Sequence, residues 1–427
     1  MASGKRGIVV FLVVLMAAGA VYATDWSQWR GPKRDGKADS GKLLSQWPEG
    51  EPKLAWQSDG LGVGYSSISM SDKHMFTMGD HGDRQFLIGM ARENGKVLWK
   101  IDIGPSWPDK NFPGPRGTPT IDGDHVYAIS TEGDLVCAST AGKLVWKRSL
   151  TNDFGGFMSA GQKVHWKYSE SPLIDGDKII VTPGANEAAM VALNKKTGDE
   201  IWRAAIPSLG ERGADGAGYS SVMISNAGGV KQYVQMLGRG VIGVEAETGR
   251  YLWGYNRVAN DVANITTPLI DGDKVFVTTG YGTGSALLKL SKSGDGVSAE
   301  QVYWLDAKTM QNHHGGVILE DGYLYTGTGH NKGFPLCVEM ATGKVVWGPI
   351  RNEGEKSAAV TYADGHIYMR YQNGLVVLVE ATPEEYREKG SFMIPDVKQF
   401  SWAHPVVADG KLFLREQDRL YAYDIAG

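Results

Sequence analysis

The stretch Pro172-Leu-Ile-Asp-Gly-Asp-Lys-Ile-Ile180 recurs along this chain of 427 residues. Close copies begin at Pro119 and Pro268, and looser copies begin at Ser67, Ser221, Gly316, Ala359 and Pro405. These starts lie 43 to 53 residues apart, a period typical of one four-stranded blade of a β-propeller. Asp-Gly between two apolar runs indicates a hairpin, because glycine tolerates the positive φ of a tight turn. Each start therefore predicts an inner strand that turns into its partner.

A second pattern follows each of several starts: a glycine, a charged residue, two further residues and a tryptophan. It occurs at Gly95 to Trp99, Gly142 to Trp146, Gly198 to Trp202, Gly249 to Trp253 and Gly343 to Trp347. The glycine is expected to close the hairpin into the outermost strand, and the tryptophan can pack between adjacent blades. The predicted fold is all-β, an eight-bladed β-propeller of four-stranded antiparallel blades.

The run Ala192-Leu-Asn-Lys-Lys-Thr-Gly-Asp-Glu-Ile-Trp202 closely resembles the tryptophan-docking repeat of quinoprotein dehydrogenases, with Asn194 in place of the usual Asp. The chain thus resembles the pyrroloquinoline-quinone (PQQ) repeat propellers. Non-enzymatic proteins also carry this repeat, among them the lipoprotein subunit of the outer-membrane β-barrel assembly machinery. The resemblance implies the fold, and it leaves the activity open because one fold hosts unrelated functions.

The two ends of the repeat region are complementary. Lys53-Leu-Ala-Trp56 resembles an outermost strand with no blade before it, and Pro405 to Ile425 supplies about three strands with no outer strand after them. Pairing residues 53 to 58 with the blade of residues 402 to 425 would remove an open edge. The propeller is then predicted over residues 53–427, with residues 24–52 as an N-terminal extension packed on it. Within this extension, Trp26 to Gly36 is interpreted as an ordered clamp, with contact to a partner as the alternative.

Residues 1–23 have the pattern of a signal peptide. Lys5 and Arg6 precede an apolar core from Ile8 to Ala20, and Val21-Tyr22-Ala23 offers small residues at the cleavage positions, with cleavage after Ala23. The alternative, a retained membrane anchor, would need roughly 20 apolar residues to span a bilayer, and only 16 are present from Ile8 to Ala23. We expect a periplasmic or secreted monomer without a transmembrane segment. The formal net charge of −4 offers no basic surface for nucleic acid.

The two cysteines are predicted to remain free. Cys137 and Cys337 are separated by 200 residues of ordinary strand sequence, which favours two buried thiols over a disulfide. The repeat places them in the third strands of the second and sixth blades. They should therefore face each other across the propeller, far beyond the roughly 7 Å between Cα atoms that a disulfide permits.

The residues just before the inner strands are the predicted ligand-binding rim of the central funnel. They are Tyr65, Arg116, Glu170, Tyr219, Thr266, His313, His314, Lys356 and His404. Such groups can hold an anion or a hydroxylated ligand; the alternative is that they only solvate the channel mouth. Adjacent residues of a strand point to opposite faces, so at most one of His313 and His314 should face the channel. His330, in a predicted turn, is expected to be an exposed hairpin residue.

The predicted function is that of an exported, non-catalytic binding or scaffold protein that recognises a protein, a carbohydrate or a small ligand at the funnel, without a cofactor. The alternative is a PQQ- and Ca²⁺-dependent alcohol dehydrogenase. In those enzymes, as the resemblance implies, the quinone lies over a Ca²⁺ held by carboxylate and amide oxygens, commonly above a pair of adjacent cysteines. Gly184-Ala-Asn-Glu187 loosely resembles the turn that supplies one Glu ligand. The chain has no adjacent cysteines, so under this alternative the likeness rests on Glu187.

Overall fold

The strands that the repeat predicts are present, and they form eight separate sheets. A computed structural model describes residues 1, 26–159 and 166–427. The predicted signal peptide, apart from residue 1, lies outside the described residues. Each sheet has four antiparallel strands, so the protein is an eight-bladed β-propeller. In the part of the chain that the structure describes, no helix has the length and apolar character needed to cross a bilayer.

The first strand, β1 (Lys53–Ser58), is followed in sequence by blades 1 to 4. Blade 1 contains β2 (Ser69–Met70), β3 (His74–His81), β4 (Arg84–Ala91) and β5 (Val97–Pro105). Blade 2 contains β6 (Thr120–Asp122), β7 (His125–Ile129), β8 (Asp134–Ser139) and β9 (Leu144–Ser149). Blade 3 contains β10 (Leu173–Asp175), β11 (Lys178–Val181), β12 (Met190–Asn194) and β13 (Glu200–Ala204). Blade 4 contains β14 (Met223–Ser225), β15 (Gln232–Leu237), β16 (Gly240–Glu245) and β17 (Tyr251–Tyr255).

Blades 5 to 8 complete the ring. Blade 5 contains β18 (Leu269–Asp271), β19 (Lys274–Thr279), β20 (Gly284–Ser293) and β21 (Gly296–Asp306). Blade 6 contains β22 (Val317–Glu320), β23 (Tyr323–Thr328), β24 (Phe334–Glu339) and β25 (Val345–Trp347). Blade 7 contains β26 (Ala358–Ala363), β27 (His366–Tyr371), β28 (Leu375–Glu380) and β29 (Glu388–Met393). Blade 8 contains β30 (Val406–Ala408), β31 (Lys411–Glu416) and β32 (Arg419–Asp424). Two short helices, α1 (Leu150–Phe154) and a 3₁₀ turn (Ala227–Gly229), lie in connections.

The ring is closed by its two ends. β1 is the outermost strand of blade 8 and pairs antiparallel with β32. Lys53 lies opposite Asp424, and Ser58 lies opposite Leu420. The prediction that residues 53 to 58 complete the last blade is therefore confirmed, and β32 is not left as an open edge.

The Asp-Gly hairpins occur in two registers. In blades 2, 3 and 5 the glycine is the first central residue of the turn; Asp122 pairs with His125 across Gly123, whose φ is 58°. In blades 6, 7 and 8 the aspartate also lies inside the turn; Asp321 and Gly322 both have positive φ, 48° and 85°. Two positive φ angles are typical of type I′ turns. The Asp-Gly dipeptide therefore forms a hairpin turn whether its aspartate is the last paired residue of the strand or the first residue of the turn.

Four of the five repeated tryptophans dock one blade on the next. The indole Nε1 of Trp99 donates to the carbonyl of Thr140 at 3.0 Å, and Trp146 and Trp347 make the equivalent bonds to Lys195 and Thr382. In blade 5, Tyr303 takes the place of the tryptophan and donates to Met340 at 2.8 Å. Trp253 differs, because its Nε1 bonds Gln232 within its own blade. The docking residues and the hairpin glycines are therefore structural.

The N-terminal residues enter the central channel. We call residues 26–38 the channel plug. Trp26 bridges to Met70 of blade 1, the carbonyl of Ser27 accepts from Ile121 N of blade 2, and Ala38 N donates to Tyr362 of blade 7. Beyond the plug, residues 42–47 run along blades 7 and 8, where Trp47 packs against Phe392 with ring centroids 5.1 Å apart. The extension contacts the ring from its centre to its outer strands.

Two buried arginines anchor the plug. Arg34 donates to the carbonyls of Ser171 (2.7 Å) and Pro172 (3.0 Å) in blade 3, and Arg30 donates to the carbonyl of Val317 (2.6 Å) in blade 6. Gly36 has a φ of 78°, and a Cβ there would lie 2.7 Å from the Arg30 guanidinium. A larger residue at position 36 would therefore displace Arg30. These contacts explain why Arg30, Arg34 and Gly36 occupy their positions in the plug.

Candidate functional site

A cavity of about 260 Å³ opens at the end of the channel where the inner strands begin. Its lining residues come from the loops before the inner strands of every blade, from three turns and from the plug. They are Trp29, Arg30, Tyr65, Phe112, Arg116, Trp166, Ser169, Ser171, Tyr219, Ser221, Ile265, Thr266, Thr267, Tyr281, His313, His314, Gly316, Asn331, Lys356, Gln372, Phe400, Trp402 and His404. The convergence of so many loops on one cavity makes it the candidate site.

Most of the predicted rim residues line this cavity. Tyr65, Arg116, Tyr219, Thr266, His313, His314, Lys356 and His404 are all among its lining residues. Each precedes an inner strand by two to four residues. Tyr65, Tyr219 and His404 are buried, whereas Lys356 is exposed at the mouth.

Glu170 is placed elsewhere. Its carboxylate accepts hydrogen bonds from the backbone N (2.8 Å) and the Oγ1 (2.9 Å) of Thr182, and from Gln235 Nε2 (3.3 Å). Burial raises the pKa of Glu170 to about 8, although the Thr182 bonds and the nearby Arg34 oppose this shift. Glu170 therefore belongs to the packing of the inner strands and does not line the cavity.

The expectation that only one of His313 and His314 faces the channel is wrong. Residues 313–315 form a bend rather than a strand, so strict alternation does not apply and both rings line the cavity. His313 Nδ1 lies 2.6 Å from Ser357 Oγ, and its Nε2 lies 3.0 Å from the hydroxyl of Tyr281. His330 is half-buried, and its ring packs at a tilt of 53° against Tyr281, with centroids 4.4 Å apart. Among the described residues, no three His, Cys, Asp or Glu side chains are grouped as metal ligands.

Aromatic side chains form much of the wall, and the sequence analysis missed four of them: Phe112, Trp166, Phe400 and Trp402. Trp402 stacks on Phe112 (5.3 Å, 18°) and on Phe400 (5.3 Å, 23°), and Trp166 packs beside Tyr219 (5.9 Å). These residues lie in the loops between blades, a few positions before the polar residues that the sequence indicated. Tyr281 comes from the turn between β19 and β20. The aromatic residues of the inter-blade loops were the sequence feature that could have predicted this part of the cavity wall.

The charged groups of the lining are all cationic. Arg116 Nη1 donates to the carbonyl of Trp166 at 2.9 Å, and its Nη2 donates to the carbonyl of Phe112 at 2.6 Å. Desolvation lowers the pKa of both Arg30 and Arg116 to about 10, so both remain charged at neutral pH. No aspartate or glutamate is among the described residues that line the cavity.

The histidines of the cavity are neutral at neutral pH. Burial lowers the pKa of His313 to about 2 and the pKa values of His314 and His404 to about 3. Neighbouring histidines add to this effect at His313 and His314, and Arg30 adds to it at His404. The site therefore combines neutral imidazoles with cationic guanidinium groups in an aromatic enclosure.

Comparison with known proteins identifies the family. The sequence profile of the PQQ-repeat family described as "Outer membrane protein assembly factor BamB" matches residues 84–349, which is more than half of the chain. The chain belongs to this PQQ-repeat family. No curated protein sequence matches it.

Solved PQQ-repeat structures show the same fold at low sequence identity. BamB from Moraxella catarrhalis superposes with a TM-score of 0.59 at 13% identity, covering 87% of this chain and 97% of that one. The quinohemoprotein alcohol dehydrogenase ADHIIG from Pseudomonas putida HK5 gives 0.62 at 13% identity, covering 94% and 80%. A europium-containing methanol dehydrogenase gives 0.62 at 11% identity, covering 94% and 89%. These similarities concern the fold and include both enzymes and an assembly factor.

The cavity of this PQQ-repeat propeller does not fit a Ca²⁺-bound quinone. Ca²⁺ requires several oxygen ligands, carboxylates above all, whereas the described lining offers arginines, a lysine and no carboxylate. Glu187 is exposed in the turn between β11 and β12 and is not part of the lining. Cys137 and Cys337 are buried in β8 and β24, and neither is among the lining residues.

Proposed function

We propose that this protein is an exported, non-catalytic PQQ-repeat propeller that binds a small ligand in its central cavity. The observation that carries this proposal is the composition of the cavity wall: stacked aromatic rings with a few polar groups, converging from the inter-blade loops. Ligand sites of proteins typically combine an apolar wall with a small number of placed polar groups.

The volume limits the size of the ligand. At about 260 Å³ the cavity lies just below the range of roughly 300 to 1,000 Å³ that is usual for drug-sized ligands. Trp29 and Arg30 of the plug are among the lining residues. The plug therefore forms part of the cavity wall on the side of the channel. A molecule of the size of one or two rings matches this space, whereas a protein partner could reach only the mouth around Lys356.

The proposal is tested by filling the cavity. Ile265 lines the cavity and is only partly buried, so Ile265→Trp should occupy the space without removing a hydrogen bond. The matched control is Leu98→Trp, on the outer strand of blade 1, where Leu98 is exposed. Thermal shift with a library of small metabolites should yield compounds that raise the Tm of the wild type and of Leu98→Trp, but not of Ile265→Trp.

Three results would contradict the proposal. The first is that no compound stabilises the wild type, and the second is that Ile265→Trp responds as the wild type does. The third is an alcohol-dependent dye reduction that requires both PQQ and Ca²⁺ and is abolished by Glu187→Ala, because this would make the protein a dehydrogenase.

A further inference from the structure

Three buried ring nitrogens of the cavity lining have no hydrogen-bond partner among the described residues. They are Nε1 of Trp29, Nε2 of His314 and Nδ1 of His404. His404 is only 7% exposed. A buried polar group without a partner costs about 1 to 3 kcal/mol, and these three belong to residues that surround an open cavity. A ligand in the cavity can supply the missing partners.

The roles of two of these nitrogens follow from their chemistry. The carbonyl of His314 can only accept, and it lies 3.2 Å from His404 Nε2, so this nitrogen carries the proton of the neutral ring. His404 Nδ1 is then a bare acceptor. The carbonyl of Val360 also lies near His404, and Nδ1 has no partner in hydrogen-bonding geometry among the described residues. Trp29 Nε1 is a donor only.

The two groups belong to rings in contact. The Trp29 and His404 rings meet edge to face with centroids 4.5 Å apart. A ligand hydroxyl can accept from Trp29 Nε1 and donate to His404 Nδ1 at the same time. A carboxylate oxygen cannot do this, because it has no proton to give to His404. The pair therefore selects a hydroxyl group.

The charge of the lining selects a second group. Arg30, Arg116 and Lys356 line the cavity with no described carboxylate among the lining residues. The hydrogen bonds of Arg116 go to backbone carbonyls, and none of these bonds pairs its charge with a carboxylate. An anionic group in this enclosure would gain charge-assisted hydrogen bonds.

We infer, on the basis of the function proposed above, that the ligand is a small hydroxylated carboxylate with an apolar face, the chemical class of the sugar acids. Its hydroxyl lies between Trp29 and His404, its carboxylate lies near Arg116, and its C–H face packs on the stack of Trp402 and Phe112. A neutral sugar lacks the anion, and a simple aromatic acid lacks the hydroxyl.

The test uses three probes on the full chain by isothermal titration: glucuronate, glucose and benzoate. Glucuronate should bind at least about tenfold more tightly than either of the others, since it alone has both groups. Trp29→Phe retains a ring and loses the N–H, so it should weaken glucuronate by roughly two- to tenfold, the value of one hydrogen bond, and leave benzoate unchanged.

Trp107→Phe is the matched control. Trp107 Nε1 is also buried without a partner among the described residues, but Trp107 does not line the cavity; this variant should bind all three probes as the wild type does. Equal affinity for glucuronate and glucose, or for glucuronate and benzoate, would overturn the inference, as would unchanged glucuronate binding in Trp29→Phe. Benzoate binding that Ile265→Trp abolishes, with no binding of glucuronate, would overturn this inference and leave the proposed binding function standing.

Discussion

The carboxyl group of Glu170 shows how the ring changes the chemistry of a single residue. Its pKa rises from an ordinary 4.5 to about 8, chiefly through burial. Between these values the folded protein holds a proton that the unfolded chain has released, so the free energy of unfolding falls as the pH rises through this window. The change is about 1.4 kcal/mol per unit of pKa shift. Glu170→Gln removes the titrating group and should therefore become increasingly stable relative to the wild type from pH 5 to pH 9.

Thermal unfolding of both proteins across this pH range measures the effect. Glu187→Gln is the control, because Glu187 is exposed, and its Tm should follow that of the wild type throughout. A constant difference in Tm between Glu170→Gln and the wild type at all pH values would show that Glu170 titrates normally in the folded state.

At the scale of elements, β1 joins the ends of the chain through both hydrogen bonds and packing. Trp56 of β1 packs on Phe413 of blade 8, with ring centroids 5.8 Å apart. The Trp56 ring also lies against Gly95 of blade 1, where an added Cβ would be 2.6 Å from it. Trp56→Ala should lower the free energy of unfolding by about 2 to 3 kcal/mol, since it removes a large side chain between two blades. Urea unfolding measures this loss.

The control for Trp56→Ala lies in the same strand. Leu54 is 38% exposed, so Leu54→Ala should change the stability by less than about 1 kcal/mol. Equal losses in the two variants would mean that β1 contributes only its backbone pairing to closure.

At the scale of the whole molecule, the ring separates the two cysteines. Cys137 lies in β8 of blade 2 and Cys337 in β24 of blade 6, and both are free and buried. Burial raises the pKa of each thiol to about 12, so neither should react with a thiol reagent in the native state, whereas both should react in urea. A non-reducing intact mass lower by two hydrogens would contradict the blade arrangement.

The local features of the fold were predictable because each one depends on neighbours in sequence. Asp-Gly turns predict hairpins, and Trp99 and its equivalents predict docking strands. Tyr303 performs the same docking with a different residue, so a search for tryptophan alone missed it. For the site, Arg116 and His404 were predictable because inner strands begin at one face of a propeller.

Other parts of the site depend on contacts that the pattern does not contain. Trp402 and Phe112 reach the cavity from loops whose path is set by stacking between distant segments. His313 and His314 lie in a bend, so the alternation of side chains along a strand does not predict which of them faces the cavity. Arg30 enters the cavity through a bond to Val317, 287 residues away.

The sequence by itself determined the number of blades, their strand order and the closure by β1, because these follow from turns and periodicities that repeat every 43 to 53 residues. Only the tertiary structure decided which polar groups lose contact with water. Glu170 is withdrawn into the packing of the strands, and Nε1 of Trp29 and Nδ1 of His404 are buried without a hydrogen-bond partner among the described residues. Burial is a property of the closed ring and the plug together, since each wall of the cavity comes from a different blade.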